Sequence, residues 1–255
     1  MSAFYTTVAR FYDSENADKT DDLAMYSRLA AKYQGEILDI GCGTGRVLLH
    51  LARAGFRVHG IDNNRAMLNR LDAKLEQLPQ LLHLVNCVHG DVLEYQWDRK
   101  FGLILLTYNA LMHFHKQAAQ LALLTSLRAC LAEGGHLVID LPNAALAFAA
   151  EDSDALTFER SFLDRETGHL VMLQSITYLD RAAQILTVEW IYDEVDGSGA
   201  VRRLIAPYKL RYFFLPELRL LLERAGFSPR AVYGDPDEAP YDADSERMIV
   251  HASGC

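Results

Sequence analysis

The sequence predicts an α/β protein built on a seven-stranded, mostly parallel, doubly wound sheet with an inserted antiparallel β lobe. Three observations support this prediction. An apolar stretch at residues 37–40 runs into a glycine-rich turn and then into a helical pattern. Short apolar strands and longer helical patterns keep alternating up to residue 142, as they do in parallel sheets. Residues 156–214 then change to a period of two, which is typical of antiparallel strands.

Composition narrows the class of protein. The chain has 255 residues, of which 50% are hydrophobic, and this suffices for one large core or a core with a small subdomain. The net charge is −9 without any basic run, so we expect no nucleic acid as a partner. The start of the chain does not read as a signal peptide, no segment reads as a membrane span, and the four cysteines are scattered. We therefore expect a cytoplasmic protein with reduced thiols and no membrane partner.

The first elements can be assigned in order. Residues 1–34 carry aromatic and apolar side chains at helical spacing around a charged link, and they predict two short helices. The strand at 37–40 and the turn are followed by a predicted helix over residues 46–54. A second strand is expected over residues 56–62, again ending in an acid.

The next helix is predicted to begin at Asn63 and Asn64, because asparagine side chains accept hydrogen bonds from the first free N–H groups of a helix. Its expected buried face comprises Met67, Leu68, Leu71 and Leu75. A third strand is predicted near residues 83–89. A fourth, over residues 101–106, is apolar throughout, as a central parallel strand should be.

The last elements complete the predicted sheet. A helix is expected to end at residues 133–135, and a fifth strand to cover residues 136–140. The face of that helix is predicted from Leu121, Leu124, Leu127 and Leu131. After the lobe, a helix starting at Pro216 and two strands, 230–233 and 248–252, return the chain to the sheet edge. The predicted division of the chain is 1–34, 35–150 (core), 151–214 (lobe) and 215–255 (the rest of the core).

The glycine-rich turn indicates a cofactor site. Glycines at alternate positions let the backbone turn sharply and let a ligand lie against it, because no Cβ intervenes. The free N–H groups of the following helix point toward such a ligand. A dinucleotide fingerprint would require glycine at position 46, where Arg46 stands. Asp39, two residues before Gly41, is not part of that fingerprint.

The string Asp39-x-Gly41-x-Gly43-x-Gly45 resembles motif I of the class I S-adenosylmethionine-dependent methyltransferases. The resemblance is specific over residues 36–142 and loose in the lobe, whose layout is similar to that of glycine and amino-sugar N-methyltransferases. It implies a methyl group transferred from S-adenosylmethionine to a small-molecule acceptor, with S-adenosylhomocysteine as the product. It also implies that residues 1–34 form a helical cap over the cofactor.

The resemblance assigns roles to several residues. Asp39 would lie near the methionyl end, and Gly90-Asp91-Val92 would form the adenine site. Asp62, at the end of the second strand, would accept both ribose hydroxyls, which NAD also requires. Cys42 would serve packing. The expected cofactor-binding set comprises Tyr12, Asp39, Gly41, Cys42, Gly43, Gly45, Asp62, Asn63, Met67, Asp91, Val92 and Tyr108.

The acceptor side is predicted after the fourth strand, because ligands of open α/β sheets sit at the carboxyl ends of the strands. His113 and His115 are therefore candidate general bases, and Tyr12 is a third candidate catalytic residue that closes the site. At least one lobe tyrosine is expected beside His113 and Tyr12. The candidates are Tyr178, Tyr192, Tyr208 and Tyr212. No Asp-Asn pair follows the fifth strand, so no metal is expected.

Three functional hypotheses remain open at this stage. The first is a small-molecule methyltransferase acting on a nitrogen or oxygen nucleophile, as a monomer or a homodimer. The second is an NAD-dependent oxidoreductase, against which Arg46 speaks. The third is a non-catalytic module that binds S-adenosylmethionine. Motifs typical of enzymes that methylate nucleic-acid bases or protein arginines are absent, which favours a small molecule as the acceptor.

Overall fold

The structure is a computed structural model, and it describes residues 3–149 and 153–255. Its helices are α1 Ala3–Glu15, α2 Leu23–Lys32, α3 Arg46–Arg53, α4 Arg65–Glu76, α5 Gln117–Cys130, α6 Ala144–Ala149 and α7 Leu215–Arg224. Its strands are β1 Ile37–Ile40, β2 Val58–Asp62, β3 Val85–His89, β4 Phe101–Leu106, β5 Leu131–Pro142, β6 Ser153–Leu163, β7 Leu170–Asp180, β8 Ile185–Val195, β9 Val201–Arg211, β10 Phe227–Tyr233 and β11 Arg247–Gly254.

The larger sheet has seven strands in the order β10-β11-β5-β4-β1-β2-β3. The neighbours from β5 to β3 pair in parallel, whereas β11 is antiparallel to both β5 and β10. This confirms the predicted doubly wound sheet. The direction of winding reverses between β1 and β4, and a crevice forms at the carboxyl ends of the strands at such a point.

Strand periodicity explains the two layers of helices. All four residues of β1 and all six of β4 are buried, and successive side chains point to opposite faces. Ile37 and Leu103 join one core cluster, with residues of α2, α3 and α4. Leu38 and Ile104 join the other cluster, with residues of α5 and α7. Burial of each such side chain contributes about 1.5–3 kcal/mol to the stability of the fold. Because the apolar side chains of these strands point to both faces of the sheet, helices cover both faces.

The smaller sheet is an antiparallel meander in the order β6-β7-β8-β9, which confirms the predicted lobe. Its inner face packs against α1. The ring of Phe11 stacks on Tyr192 with a centroid distance of 5.4 Å, and Val8 is fully buried beside Val171 and Leu173. The first helix therefore rests on the lobe and is not free to project into solvent.

Some sequence-based assignments were wrong. Helix α5 ends at Cys130, and residues 133–135 lie inside β5, because the register with β4 jumps from Phe101↔Leu131 to Leu103↔His136. Gly134 permits this irregularity with a φ of +69°. The buried face of α5 is therefore formed by Gln120, Leu123, Leu124, Leu127 and Cys130, with Leu121 only half-buried.

The start of α4 and the junction before the lobe also differ from expectation. Asn64 alone caps α4, and its Oδ1 accepts the N–H of Met67 at 3.1 Å, whereas Asn63 makes no cap. Helix α6 was not predicted. The predicted boundary at 150–151 and the first two residues of the cap lie outside the described residues.

Candidate active site

A cavity of about 720 Å³ lies at the carboxyl ends of β1, β2 and β4. Loops that follow these strands form its floor, and α1 closes it with Tyr5 and Tyr12. Pro207 and Lys209 of β9 contribute one wall. The cavity thus lies where the direction of winding reverses and is enclosed by the cap and the lobe together.

The glycine loop adopts the backbone that its sequence predicts. Gly43 has a φ of +55°, and a Cβ there would lie 3.3 Å from Cε of Met67. Gly45 has a φ of +83°, and a Cβ there would lie 2.5 Å from Cδ1 of Leu71. Gly43 lines the cavity, but Gly45 does not. Gly45 therefore lets α3 pack closely against α4, and the structure does not place it where it could contact a ligand.

Asp62 is fixed by the backbone at the end of β2. Its Oδ2 accepts the N–H of Gly43 at 2.9 Å, and its Oδ1 accepts the N–H of Asn64 at 2.8 Å. Each carboxylate oxygen keeps a further lone pair for a ligand. Burial raises the pKa of Asp62, although these two hydrogen bonds act to lower it. The glycine loop and the acid are therefore one preorganised unit.

Asp39 is the most deeply buried acid of the cavity wall. It is 1% exposed, and its Oδ1 accepts a hydrogen bond from Oγ1 of Thr107 at 3.2 Å. Burial raises the pKa of Asp39 to about 7. A cationic group next to Asp39 would favour its carboxylate form, so this position suits a ligand ammonium.

Asn63 and Asp91 offer further acceptors. The Oδ1 of Asn63 is buried and has no hydrogen-bond partner among the described residues. The Oδ1 of Asp91 accepts the N–H of Leu93 at 2.9 Å. The cavity is lined by every member of the predicted cofactor set except Gly45, namely Tyr12, Asp39, Gly41, Cys42, Gly43, Asp62, Asn63, Met67, Asp91, Val92 and Tyr108.

The cap is held on the core by a half-buried carboxylate. Asp13 of α1 accepts hydrogen bonds from Oγ1 of Thr44 at 2.6 Å and from Nζ of Lys74 at 2.7 Å. Arg70 pairs with its other oxygen at 3.4 Å. Burial opposes ionisation, but the hydrogen bonds from Lys74 and Thr44 keep the pKa of Asp13 below its ordinary value. The acid thus joins α1 to the glycine loop and to α4.

Arg46, which rules out the dinucleotide fingerprint, has a definite role. Its guanidinium forms two hydrogen bonds to the carboxylate of Asp22, at 2.5 and 2.6 Å, and this carboxylate immediately precedes α2. The guanidinium also lies 5.3 Å from the ring centroid of Tyr108. Tyr108 and Asn109 both have positive φ, of 43° and 71°, which is strained for a tyrosine. The turn after β4 is therefore held in an unusual conformation at the cavity wall.

At the other end of the cavity wall, Tyr5 and His113 form a polar cluster with Tyr208, which itself does not line the cavity. The Tyr5 hydroxyl lies 3.0 Å from Nε2 of His113 and 2.8 Å from the hydroxyl of Tyr208. Tyr208 lies 3.3 Å from the same Nε2. The three side chains come from α1, from the short 3-10 helix Ala110–His113 and from β9. We call Tyr5, His113 and Tyr208 the acceptor cluster.

Burial keeps His113 neutral. It lowers the pKa of His113 to about 4, helped by the nearby His115. At neutral pH the ring therefore offers a lone pair and not a positive charge. A group with this pKa is a weak base, which argues against the predicted general-base role of His113.

The other candidate side chains occupy different places. His115 is exposed at the cavity rim, and its Nε2 bonds to the carbonyl of Lys209 at 3.1 Å. Tyr12 lines the cavity next to Tyr5, with 6.2 Å between ring centroids. Of the four lobe tyrosines, only Tyr208 reaches His113. Tyr178 is 42% exposed, Tyr192 bonds to Glu15, and Tyr212 is buried in the core.

Sequence reasoning missed three residues of the wall. Tyr5 belongs to an aromatic-rich start, from which nothing distinguished it. Thr107 directly follows β4 but matches no motif, although its hydroxyl contacts Asp39. Arg46 was noted only as a missing glycine, although an arginine beside a glycine loop is itself a signal for an anion or an ion pair.

Residues 3–149 and 153–255 contain neither a cluster of metal ligands nor a helix of membrane-spanning character. No group of three or more histidine, cysteine, aspartate or glutamate side chains in this part of the chain could hold a metal ion. No helix in the same residues is long and apolar enough to cross a bilayer.

Comparison with known proteins agrees with the site geometry. A family described as "Methyltransferase domain" matches residues 37–135. The cypemycin N-terminal methyltransferase of a Streptomyces species is 29% identical over 216 residues, which cover 84% of this chain and 81% of that protein. The CcbJ methyltransferase from Streptomyces caelestis superposes with a TM-score of 0.82 at 24% identity, covering 100% of this chain and 98% of its own.

A further solved structure shares the fold. An S-adenosylmethionine-dependent methyltransferase from Clostridium acetobutylicum superposes with a TM-score of 0.78 at 16% identity, and the match covers 98% of both chains. The matches to the two solved structures extend through the lobe as well as the core. The sheet, the cap and the lobe thus form one shared architecture.

Proposed function

Because this chain is a class I S-adenosylmethionine-dependent methyltransferase, we propose that it methylates a nitrogen atom of a small molecule. The proposal rests on the contrast between the two ends of the cavity. One end carries the acids and the glycine loop, and the other carries the neutral acceptor cluster. A relative that is 29% identical over 216 residues is named as an N-terminal methyltransferase, which agrees with a nitrogen acceptor.

The residues at the acidic end fit the cofactor. Asp62 would hold the ribose hydroxyls, and Asp91 with Val92 would hold the adenine. Asp39 and Tyr12 would lie at the methionyl end. The unpartnered Oδ1 of Asn63 and the close approach that Gly43 allows are what a bound nucleoside would use. When bound, S-adenosylmethionine supplies an electrophilic methyl group on a sulfonium.

A nitrogen acceptor is favoured over a hydroxyl because of His113. A hydroxyl acceptor needs a general base, whereas an amine needs only to arrive without its extra proton. His113, with a pKa of about 4, is too weak a base to activate a hydroxyl. Its Nε2 also already lies within hydrogen-bond distance of the hydroxyls of Tyr5 and Tyr208. This is the single observation that carries the choice of nitrogen.

The aromatic walls favour the neutral amine in a second way. An ammonium placed among Tyr5, Tyr12 and His113 loses hydration, so its pKa falls and the reactive free amine becomes more populated. Catalysis then depends mainly on holding the nitrogen in line with the methyl group. Orientation of this kind can contribute about 7–11 kcal/mol to lowering the barrier.

Other expectations remain predictions. We propose that the reaction needs no metal and that the enzyme acts as a monomer or homodimer on a free small molecule. The cytoplasmic location and the absence of nucleic-acid and membrane partners also stay predictions. The oxidoreductase alternative gains no support, since Arg46 blocks the dinucleotide fingerprint and the two curated relatives that match more than four fifths of the chain are named as methyltransferases.

A matched panel tests the proposal. Pairs of small molecules that differ only in carrying an amine or a hydroxyl at one position are incubated with S-adenosylmethionine, and release of S-adenosylhomocysteine is measured. We expect turnover with amines only, and kcat/KM should rise with pH as the free-amine fraction grows. Turnover of the hydroxyl partners alone would refute a nitrogen acceptor. Binding of S-adenosylhomocysteine without turnover of any member would favour the non-catalytic module.

A further inference from the structure

The Tyr5 hydroxyl is the atom at which the cap, the core and the lobe meet. It bonds to His113 of the core and to Tyr208 of the lobe, and Tyr5 lines the cavity. Burial and the neighbouring Tyr208 raise the pKa of Tyr5 well above its ordinary value. Burial also raises the pKa of Tyr208. Both phenols therefore keep their protons, and each has one hydrogen to donate.

The hydrogen-bond donors and acceptors of the acceptor cluster can be paired so that one lone pair remains unused. A phenol has one hydrogen and two lone pairs, and neutral His113 accepts at Nε2 when its proton is on Nδ1. Tyr5 can then donate to Nε2 of His113 and accept from Tyr208. This pattern satisfies all three groups and leaves one lone pair on the Tyr5 oxygen. No other described residue makes a hydrogen bond to that oxygen.

We propose that this lone pair accepts an N–H of the amine, and that Tyr5 thereby restricts methylation to amines that still carry a hydrogen. The inference rests on the proposed N-methylation. With its N–H on Tyr5, the nitrogen directs its own lone pair away from the phenol and toward the methyl group. The nitrogen–carbon bond forms as the carbon–sulfur bond breaks, and the bonding electrons leave on sulfur. The product departs as an ammonium and loses a proton to water.

The arrangement determines where methylation stops. A primary amine has two hydrogens and a secondary amine has one, so both can donate to Tyr5. A tertiary amine has none, and its lone pair would instead accept from a phenol, which blocks attack. Sites that hydrogen-bond an N–H or O–H reject analogues that lack it far more strongly than apolar pockets reject a methyl group. The final product should therefore be a tertiary amine.

The first test uses one acceptor from the panel in its primary, monomethyl and dimethyl forms, with products read by mass spectrometry. We expect the first two to be methylated and the dimethyl form to react at least about 100-fold more slowly. Tyr5→Phe should lower kcat for the first two forms by about 10- to 100-fold, because the orientation of the amine is lost. The ratio between their rates and the rate of the dimethyl form should therefore become smaller. Quaternary ammonium formed by the wild type at a comparable rate would overturn the inference.

Tyr192→Phe is the matched control. The Tyr192 hydroxyl also joins lobe to cap, through Glu15 at 2.9 Å, but Tyr192 does not line the cavity. This variant should keep both the rate and the ratio between secondary and tertiary amines. An equal loss in both variants would indicate a structural role for Tyr5. Affinity for S-adenosylhomocysteine verifies that each variant is folded.

The second test does not depend on turnover. Protein labelled with ¹³C at Cζ of tyrosine is saturated with S-adenosylhomocysteine, and the Tyr5 resonance is the one that Tyr5→Phe removes. Dimethylamine should shift this resonance in a saturable way, and tetramethylammonium, which carries no N–H at any pH, should not do so at the same concentration. Equal shifts with both probes, or none with either, would contradict the inference. Failure of the whole amine panel would instead refute the proposed function and leave this binding result to be judged separately.

Discussion

The two ends of the cavity are built in different ways. At the cofactor end, successive loops of one sheet are joined by backbone groups, as when Gly43 and Asn64 donate to Asp62. At the acceptor end, three side chains from α1, the 3-10 helix and β9 meet through their polar atoms and their rings. The acids and the glycine loop of the cofactor end thus belong to the sheet and its loops, with Tyr12 added by the cap, whereas the acceptor end needs side chains of the cap, the core and the lobe together.

The two ends also differ in charge. Asp39, Asp62 and Asp91 line the cofactor end, where ribose hydroxyls and an ammonium need acceptors. Burial keeps His113 neutral and Tyr208 protonated at the acceptor end. Because a charge buried without a partner is costly, a neutral wall favours a neutral nucleophile. We propose that this contrast separates cofactor binding from the choice of acceptor.

The largest expected effect lies at the cofactor end. Asp62→Ala removes two hydrogen bonds to a charged group, so S-adenosylhomocysteine should bind about 2–4 kcal/mol more weakly. Calorimetry measures this directly. Asp72→Ala is the control, since Asp72 lies on α4 and makes only an exposed pair with Arg65. Unchanged affinity in a folded Asp62→Ala protein would remove Asp62 from the site and weaken the contrast between the two ends.

A smaller expected effect is the pH dependence of ligand binding at Asp39, which also distinguishes the charged cofactor end from the neutral acceptor end. The pKa of Asp39 is about 7 without ligand, so Asp39 is mostly protonated at pH 6. An ammonium next to it favours the carboxylate, so binding of S-adenosylhomocysteine at pH 6 should release close to one proton, and at pH 8.5 close to none. Titration calorimetry in two buffers of different ionisation enthalpy measures this number. Proton uptake at pH 6, or the same release from Asp39→Asn, would contradict the assignment.

The raised pKa of Asp39 also affects the stability of the ligand-free protein. A carboxyl group whose pKa is higher in the folded state than in the unfolded state holds its proton more tightly when folded. Asp39 therefore contributes stability to the ligand-free protein that is fully present at acid pH and is lost as the pH rises through about 7. Asp39→Asn should flatten this part of the pH profile of the free energy of unfolding.

The cofactor end could be predicted because its signals are local. Asp39, Gly41 and Gly43 lie within one strand and turn, and the second acid follows the next strand. Strand periodicity then determines which ends meet, so the sheet follows from the pattern of apolar residues. Even here packing decided one case, since Gly45 serves the contact with Leu71 and not the cavity.

The acceptor end could not be predicted to the same degree. Tyr5 and His113 are 108 residues apart, and Tyr5 and Tyr208 are 203 apart. Four lobe tyrosines were equivalent in the sequence, and only the docking of β9 against α1 selects Tyr208. The pKa of His113 is lowered by burial among distant elements, which speaks against the predicted general base but could not be read from the local sequence. Such properties arise from tertiary packing, which local patterns do not encode.

The most direct test of the two-ended cavity is a crystal structure of the protein with S-adenosylhomocysteine. We expect the ribose hydroxyls on Asp62, the adenine beside Asp91 and Val92, and the sulfur facing the acceptor cluster with room for one amine between them. This would place the transferred methyl group opposite Tyr5. A sulfur atom directed away from the acceptor cluster, or a ribose that does not contact Asp62, would contradict the account.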